Sequence, residues 1–151
     1  MRFADGSKPD AREVLRTLIE PTFLLGSAQD GPAMERPAAR QRLRALYGRA
    51  MLDPSAHVVV EMNRIFEDSI KLFLALMKRA CPDLAEAELD WRVNCVIGAQ
   101  LLSLVYSDRV GRFIGPEADV DGALASEWIL HFLLNGINAP PMGVRQRLVP
   151  V

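Results

Sequence analysis

The chain has 151 residues, half of them hydrophobic, which is the length of one domain and enough to bury a proper core. Its 18 basic and 19 acidic side chains leave a formal net charge of -1, so the domain as a whole exerts no electrostatic pull on nucleic acid or on an anionic membrane surface. The two cysteines, Cys81 and Cys95, lack CxxC spacing and sit in or beside apolar helical patterns; they read as free thiols in a reducing cytoplasm.

At the N-terminus, MRFADGSKPDARE carries no apolar core of signal-peptide length. Ser7 and Asp10 frame a start resembling a capping box, with Pro9 tolerated in the first turn. Val14, Leu15, Leu18 and Ile19 follow at helical spacing, and Pro21 should kink or end the helix after Glu20. Gly26 to Met34 then reads as a loop. From Glu35 to Asp53 a second helix is expected, burying Ala39, Leu43, Leu46, Tyr47 and Ala50 and spreading Arg36, Arg40, Arg42, Arg44 and Arg49 over the rest of its surface. A solvated face is the favoured reading of those arginines over a phosphate site.

A third, longer helix places Val59, Met62, Phe66, Phe73, Met77 and Ala80 on one stripe and stops at Pro82. Asp83, with Glu86 three residues on, marks the start of a fourth. A loop is expected from Asp108 to about Val120, then a last helix from Asp121 to about Asn138, closed by Ala139-Pro140-Pro141. No stretch alternates as a strand does, no repeat is visible, and the longest uncharged run, Val93 to Ser107, falls short of the roughly 20 residues that span a bilayer. The fold expected is all-α, a bundle of about five main helices in one domain, residues 1–151.

The last two helices have too much apolar surface for one small core. On the fourth, Trp91, Cys95, Gly98, Leu102 and Val105 share one face while Val93, Ile97, Leu101 and Leu104 share another. Leaving one face in water would forgo ~1.5 to 3 kcal/mol for each of four large side chains, a sum comparable with the ~5 to 15 kcal/mol that holds a domain together. On the fifth, Trp128, Ile129, Phe132, Leu133 and Ile137 leave only a narrow polar strip of Glu127, His131, Asn135 and Asn138. Pairing with the same two helices of a second copy covers both, so a two-fold homodimer joined by a four-helix bundle is expected. Its interface would hold Ile97, Leu101, Leu104, Trp128, Ile129, Phe132 and Ile137. Burial of the fourth helix at the centre of a monomer is the alternative.

Catalytic signatures are scarce: there is no phosphate-binding Gly-rich loop, no GxSxG and no HExxH, and the only histidines are His57 and His131. Glu127 and His131, four apart, read as an exposed i, i+4 pair rather than metal ligands. The chain is not expected to be an enzyme or to carry a cofactor or metal. Met62, Phe66 and Phe73 suit either an adaptable apolar pocket or an ordinary core. Asn94, between the two apolar faces, would orient a ligand there or hydrogen-bond within the core or across a dimer.

The ordered set LRTLIEPTFLL, LYGRAMLDP, KRACPDL, ELDWRVNCVIGAQLL and a closing APP resembles the C-terminal domain of TetR/AcrR-type transcriptional regulators over nearly the whole chain. The most telling pieces are the Pro82-Asp83-Leu84 break, then Glu88 to Arg92, then an apolar helix containing Gly98. The resemblance implies a domain that dimerises through its last two helices and encloses a pocket for a small, often apolar effector, with operator DNA held by an N-terminal helix-turn-helix headpiece. No such headpiece precedes Ser7, so DNA binding is expected only through a domain outside this chain. The function expected is effector binding and dimerisation in a cytoplasmic regulator, a repressor released by its ligand; the alternative is a stand-alone helical interaction module.

Overall fold

The computed structural model describes residues 8–25, 37–114 and 122–141, with side chains for 8–25, 38–106 and 122–141. The described residues form five α-helices and no strand: α1 (Ala11–Phe23), α2 (Pro37–Met51), α3 (Ala56–Ala80), α4 (Glu86–Ile114) and α5 (Gly122–Ile137). The all-α expectation is met. Substantial contacts run from α1 to α5, α5 to α4, α4 to α2, α2 to α3 and α3 back to α1, so the helices close a ring. Leu15, Ile19, Phe73, Met77, Val93, Leu104, Leu130 and Ile137 form the core.

Helix α1 starts at Asp10, whose carboxylate accepts the Arg12 N–H at 2.9 Å; the N-cap is thus Asp10, not Ser7, which lies outside the described residues. The helix does not end before Pro21, one of the two outcomes expected there. Proline removes one main-chain donor, but the last turn is held by other donors. Leu24 N–H reaches Glu20 O at 3.0 Å, Thr22 Oγ1 donates to Ile19 O at 2.8 Å, and Gln100 of α4 donates to Leu18 O at 3.0 Å.

Helix α2 turns its narrow side to α4. A Cβ added at Gly48 would lie 2.8 Å from Val105 Cγ2 and 3.2 Å from Leu101 O, so the two helices approach at glycine distance. Leu46, expected in the core, is instead 64 % exposed, because the close α4 contact at Gly48 fixes the rotation of α2 and turns Leu46 outward beside Arg42 and Arg49.

At the N-terminus of α3, Asp53 Oδ1 accepts the Ser55 N–H at 2.8 Å. This helix ends at Ala80 before Pro82, as expected, and Cys81 N–H closes onto Met77 O at 2.9 Å. Helix α4 begins at Glu86, with Leu89 N–H bonded to Ala85 O, rather than at an Asp83 cap. It continues through Asp108 to Ile114, where a loop was expected: one glycine, Gly111, inside a helix costs about 1 kcal/mol and need not end it. The GSAQDGPAM loop and residues 115–121 lie outside the described residues.

Candidate functional site

Two surfaces stand out, and each is the uncovered part of an apolar stripe. The first belongs to α3. The C-terminal half of its stripe, Phe73, Leu76, Met77 and Ala80, is buried, whereas in the N-terminal half Val59, Ile65 and Ile70 are exposed and Met62 and Phe66 half-buried. Of the residues expected to line a pocket, Met62 and Phe66 therefore lie on this partly open stretch and Phe73 lies in the core. Asn94 is exposed on α4, and α3 and α4 are not neighbours in the ring. Helical spacing placed Asn94 between two apolar faces correctly, but it carried no information on which α4 face turns inward.

A separate depression of ≈ 450 Å³ follows one face of α2, lined by Ala38, Gln41, Arg42, Ala45, Leu46 and Arg49. None of the four expected pocket residues borders it.

The second surface belongs to α4 and α5. Trp91 is 70 % exposed, and Cys95, Leu102 and Tyr106 are exposed with it; on α5, Phe132 is 71 % exposed, joined by Leu124 and Trp128. Gly98 and Gly136 leave open space where a side chain would stand. Leu101, Leu104 and Ile137, expected at a dimer interface, are buried inside the chain, so that expectation is corrected: on α4 the Val93, Leu101, Leu104 face is core and the Trp91, Cys95, Leu102 face looks out. Ile97 and Ile129 are partly buried against the core, and Trp128 and Phe132 remain on the surface.

One arginine fixes how the two helices of this surface are set. Arg92 Nη1 donates to the main-chain oxygens of Gly136 at 3.1 Å, Ile137 at 2.7 Å and Ala139 at 2.6 Å, while Nη2 reaches Pro140 O at 3.0 Å and Glu88 Oε1 at 2.6 Å. The carbonyls at a helix C-terminus have no partner within the helix and carry its negative end, so a guanidinium is well matched to them. At the far side of α5, Glu127 accepts from Arg12 at 2.8 Å and Arg16 at 3.1 Å, both on α1. Glu127 thus pairs with the adjacent helix α1 rather than with His131, whose neighbour is Asn135.

Inside the ring sits a buried polar group on α4. Gln100 is 2 % exposed, and its Nε2 donates to Leu18 O and, at 2.8 Å, to Thr22 Oγ1. The signal was available: Gln100 falls at helical spacing with Val93, Val96 and Leu104, which are all buried, and a buried amide needs partners.

Burial pushes the Cys81 thiol above its ordinary range, against the milder opposite pull of Lys8 and Arg92; both cysteines are free. Burial likewise raises the Tyr47 phenol. Among the described residues no group of three or more His, Cys, Asp or Glu is placed to hold a metal ion, and no helix is long and apolar enough to cross a membrane.

Comparison with known families gives a match to the family described as tetracyclin repressor-like, C-terminal domain, over residues 28–136. No curated protein and no solved structure matched the chain.

Proposed function

The chain belongs to the tetracyclin repressor-like C-terminal domain family, and from that premise we propose that it dimerises and binds a small apolar effector on behalf of a DNA-binding transcriptional regulator. The observation that carries the reading is the uncovered α4–α5 face, where Trp91 and Phe132 are each about seven-tenths exposed. Contiguous apolar surface of that kind on a folded chain marks an interaction site. A second copy offering the same face makes a two-fold, self-complementary interface. Its contacts are Trp91, Leu102, Tyr106, Leu124, Trp128 and Phe132, with Ile97 and Ile129 at the edges, while Leu101, Leu104 and Ile137 support it from within.

The effector site is the open half of the α3 stripe at Met62 and Phe66, with Phe73 as its floor. The regulator is a repressor: the dimer sets the separation of two DNA-binding headpieces, and the effector favours a helix arrangement in which that separation no longer fits the operator. Effector and DNA then weaken each other's binding by the same factor.

The test is sedimentation equilibrium across nanomolar to micromolar concentration, combined with thermal-shift screening against diverse apolar compounds. A concentration-dependent dimer, and a compound whose stabilisation is lost in Phe66→Asp, are the expected results. A monomer at all concentrations refutes the dimer, and stabilisation that survives Phe66→Asp refutes the site.

A further inference from the structure

The ring dictates how the two proposed surfaces communicate. Helix α3 packs chiefly against α1 and α2, and Lys78 reaches Glu86 at the start of α4. A rearrangement on the open α3 stripe reaches the self-association face chiefly through α1 into α5 or through α2 into α4.

Both routes meet on one side of α2. Gly48 sits against α4 at the Val105 and Leu101 positions, so close that a Cβ would collide with Val105. One turn earlier, Arg44 Nη1 donates to Phe23 O, the last residue of α1, at 2.9 Å. The first residue of α5, Gly122, is pressed into the same joint: a Cβ there would lie 2.3 Å from Phe23 O and 2.5 Å from Arg44 Nη1. Arg44 and Gly48 are four residues apart and so share a helix face, while Leu46 and Arg49 border the outward depression. Phe23 is itself buried in the core. Three helices therefore share a joint in which one guanidinium holds the end of α1 against α2 and fills the space in front of α5.

We infer that Arg44 is the positioning residue that couples the effector stripe to dimer strength: through Phe23 O it fixes where α5 starts relative to α2. This rests on the proposed effector and dimer roles. A shift of α2 and α1 as the α3 stripe fills is passed at this joint to Gly122, and Trp128 and Phe132 follow six and ten residues later on the same helix. Core packing transmits such displacements because it holds discrete arrangements and does not deform smoothly.

The experiment measures the dimer dissociation constant with and without saturating 1-anilinonaphthalene-8-sulfonate, an apolar probe whose site is checked by its loss in Phe66→Asp. In the wild-type chain the probe should change the constant about fivefold or more. In Arg44→Met, probe affinity and helix content should stay near wild type while that change collapses towards unity; Arg44→Lys, which keeps a donor, should restore part of it. A merely structural role for Arg44 would lower stability and leave the ratio intact. Should Arg44→Met fail to fold, Gly122→Ala disturbs the joint from the α5 side with Arg44 in place, and the same collapse is expected. A wild-type ratio retained in whichever variant folds overturns the inference, as does a wild-type ratio of one when probe and dimer are both present. A chain that stays monomeric, or a probe unaffected by Phe66→Asp, instead refutes the proposed function and the inference with it.

Discussion

The guanidinium of Arg92, near the start of α4, lies 2.7 Å from the main-chain oxygen of Ile137, the last residue of α5. The side chain is only 14 % exposed and also pairs with Glu88, so one residue ties the antiparallel ends of the two helices that carry the proposed dimer face. Charge-assisted hydrogen bonds contribute ~1.5 to 3 kcal/mol each in favourable settings, although carbonyls near a surface recover water when released. Arg92→Met should therefore destabilise the fold by roughly 2 kcal/mol in urea titration, with a fall in Tm of about 4–8 °C. A change below about 0.5 kcal/mol would mean the clamp is not formed in solution.

Association and core packing should separate cleanly on α4 and α5. Phe132→Asp alters a side chain already in water, so at dilutions where the wild type is monomeric its stability should change by less than about 0.5 kcal/mol. Its dimer should nonetheless weaken by roughly 30- to 1000-fold, the effect of losing an aromatic anchor worth ~2 to 4 kcal/mol. Leu104→Ala, at a buried position, should instead destabilise the monomer by about 2–5 kcal/mol. Sedimentation equilibrium and urea unfolding on the same samples check both.

Cys95 offers a footprint of the same face. It is exposed on α4 between Trp91 and Leu102, whereas Cys81 is partly buried with a raised pKa. At low protein concentration a water-soluble maleimide should modify Cys95 well before Cys81. Raising the concentration through the dimer range should slow Cys95 alone; an unchanged rate would place the interface elsewhere.

Gly48 and Gly122 should both resist enlargement, against helix propensity. Alanine in a helix is favoured over glycine by about 1 kcal/mol, so exposed helical glycines gain stability on that change. At Gly122 the new methyl meets a main-chain oxygen at 2.3 Å, and at Gly48 it meets Val105 and a second main-chain oxygen. Both alanine variants should lose stability, by roughly 1–3 kcal/mol for overpacking. Gly136→Ala, with open space at its Cβ, is the control and should be neutral or stabilising in the monomer.

The alkaline limb of stability follows from the groups whose pKa is raised by burial. For Tyr47 the folded value lies above the unfolded one, so the folded state holds its proton longer. Its contribution is complete below the ordinary phenol value near 10 and is lost as pH rises through the folded value. Cys81 acts in the same direction from its lower ordinary range. Urea midpoints should fall above about pH 9, and Tyr47→Phe combined with Cys81→Ser should flatten that fall.

The sequence by itself determined the number of helices among the described residues, most of their boundaries, the breaks at Pro82 and Pro140, and the excess apolar surface of α4 and α5, because helical period and prolines act over one or two turns. It also carried enough ordered detail to place the chain in its family. What the sequence could not decide was which arc of each helix faces inward. Leu46 and Leu104 are equally apolar, yet the glycine-distance contact of α2 with α4 turns the first out and buries the second. The same limit left undecided which way Asn94 faces and hid Gln100, whose partners on α1 are about eighty residues away in the chain. Pro21 failed as a stop for a related reason, since the donors holding the last turn of α1 come partly from α4. The Arg44, Phe23 and Gly122 joint leaves no periodic trace, because it forms where three helices distant in sequence converge, and only the tertiary structure brings them together.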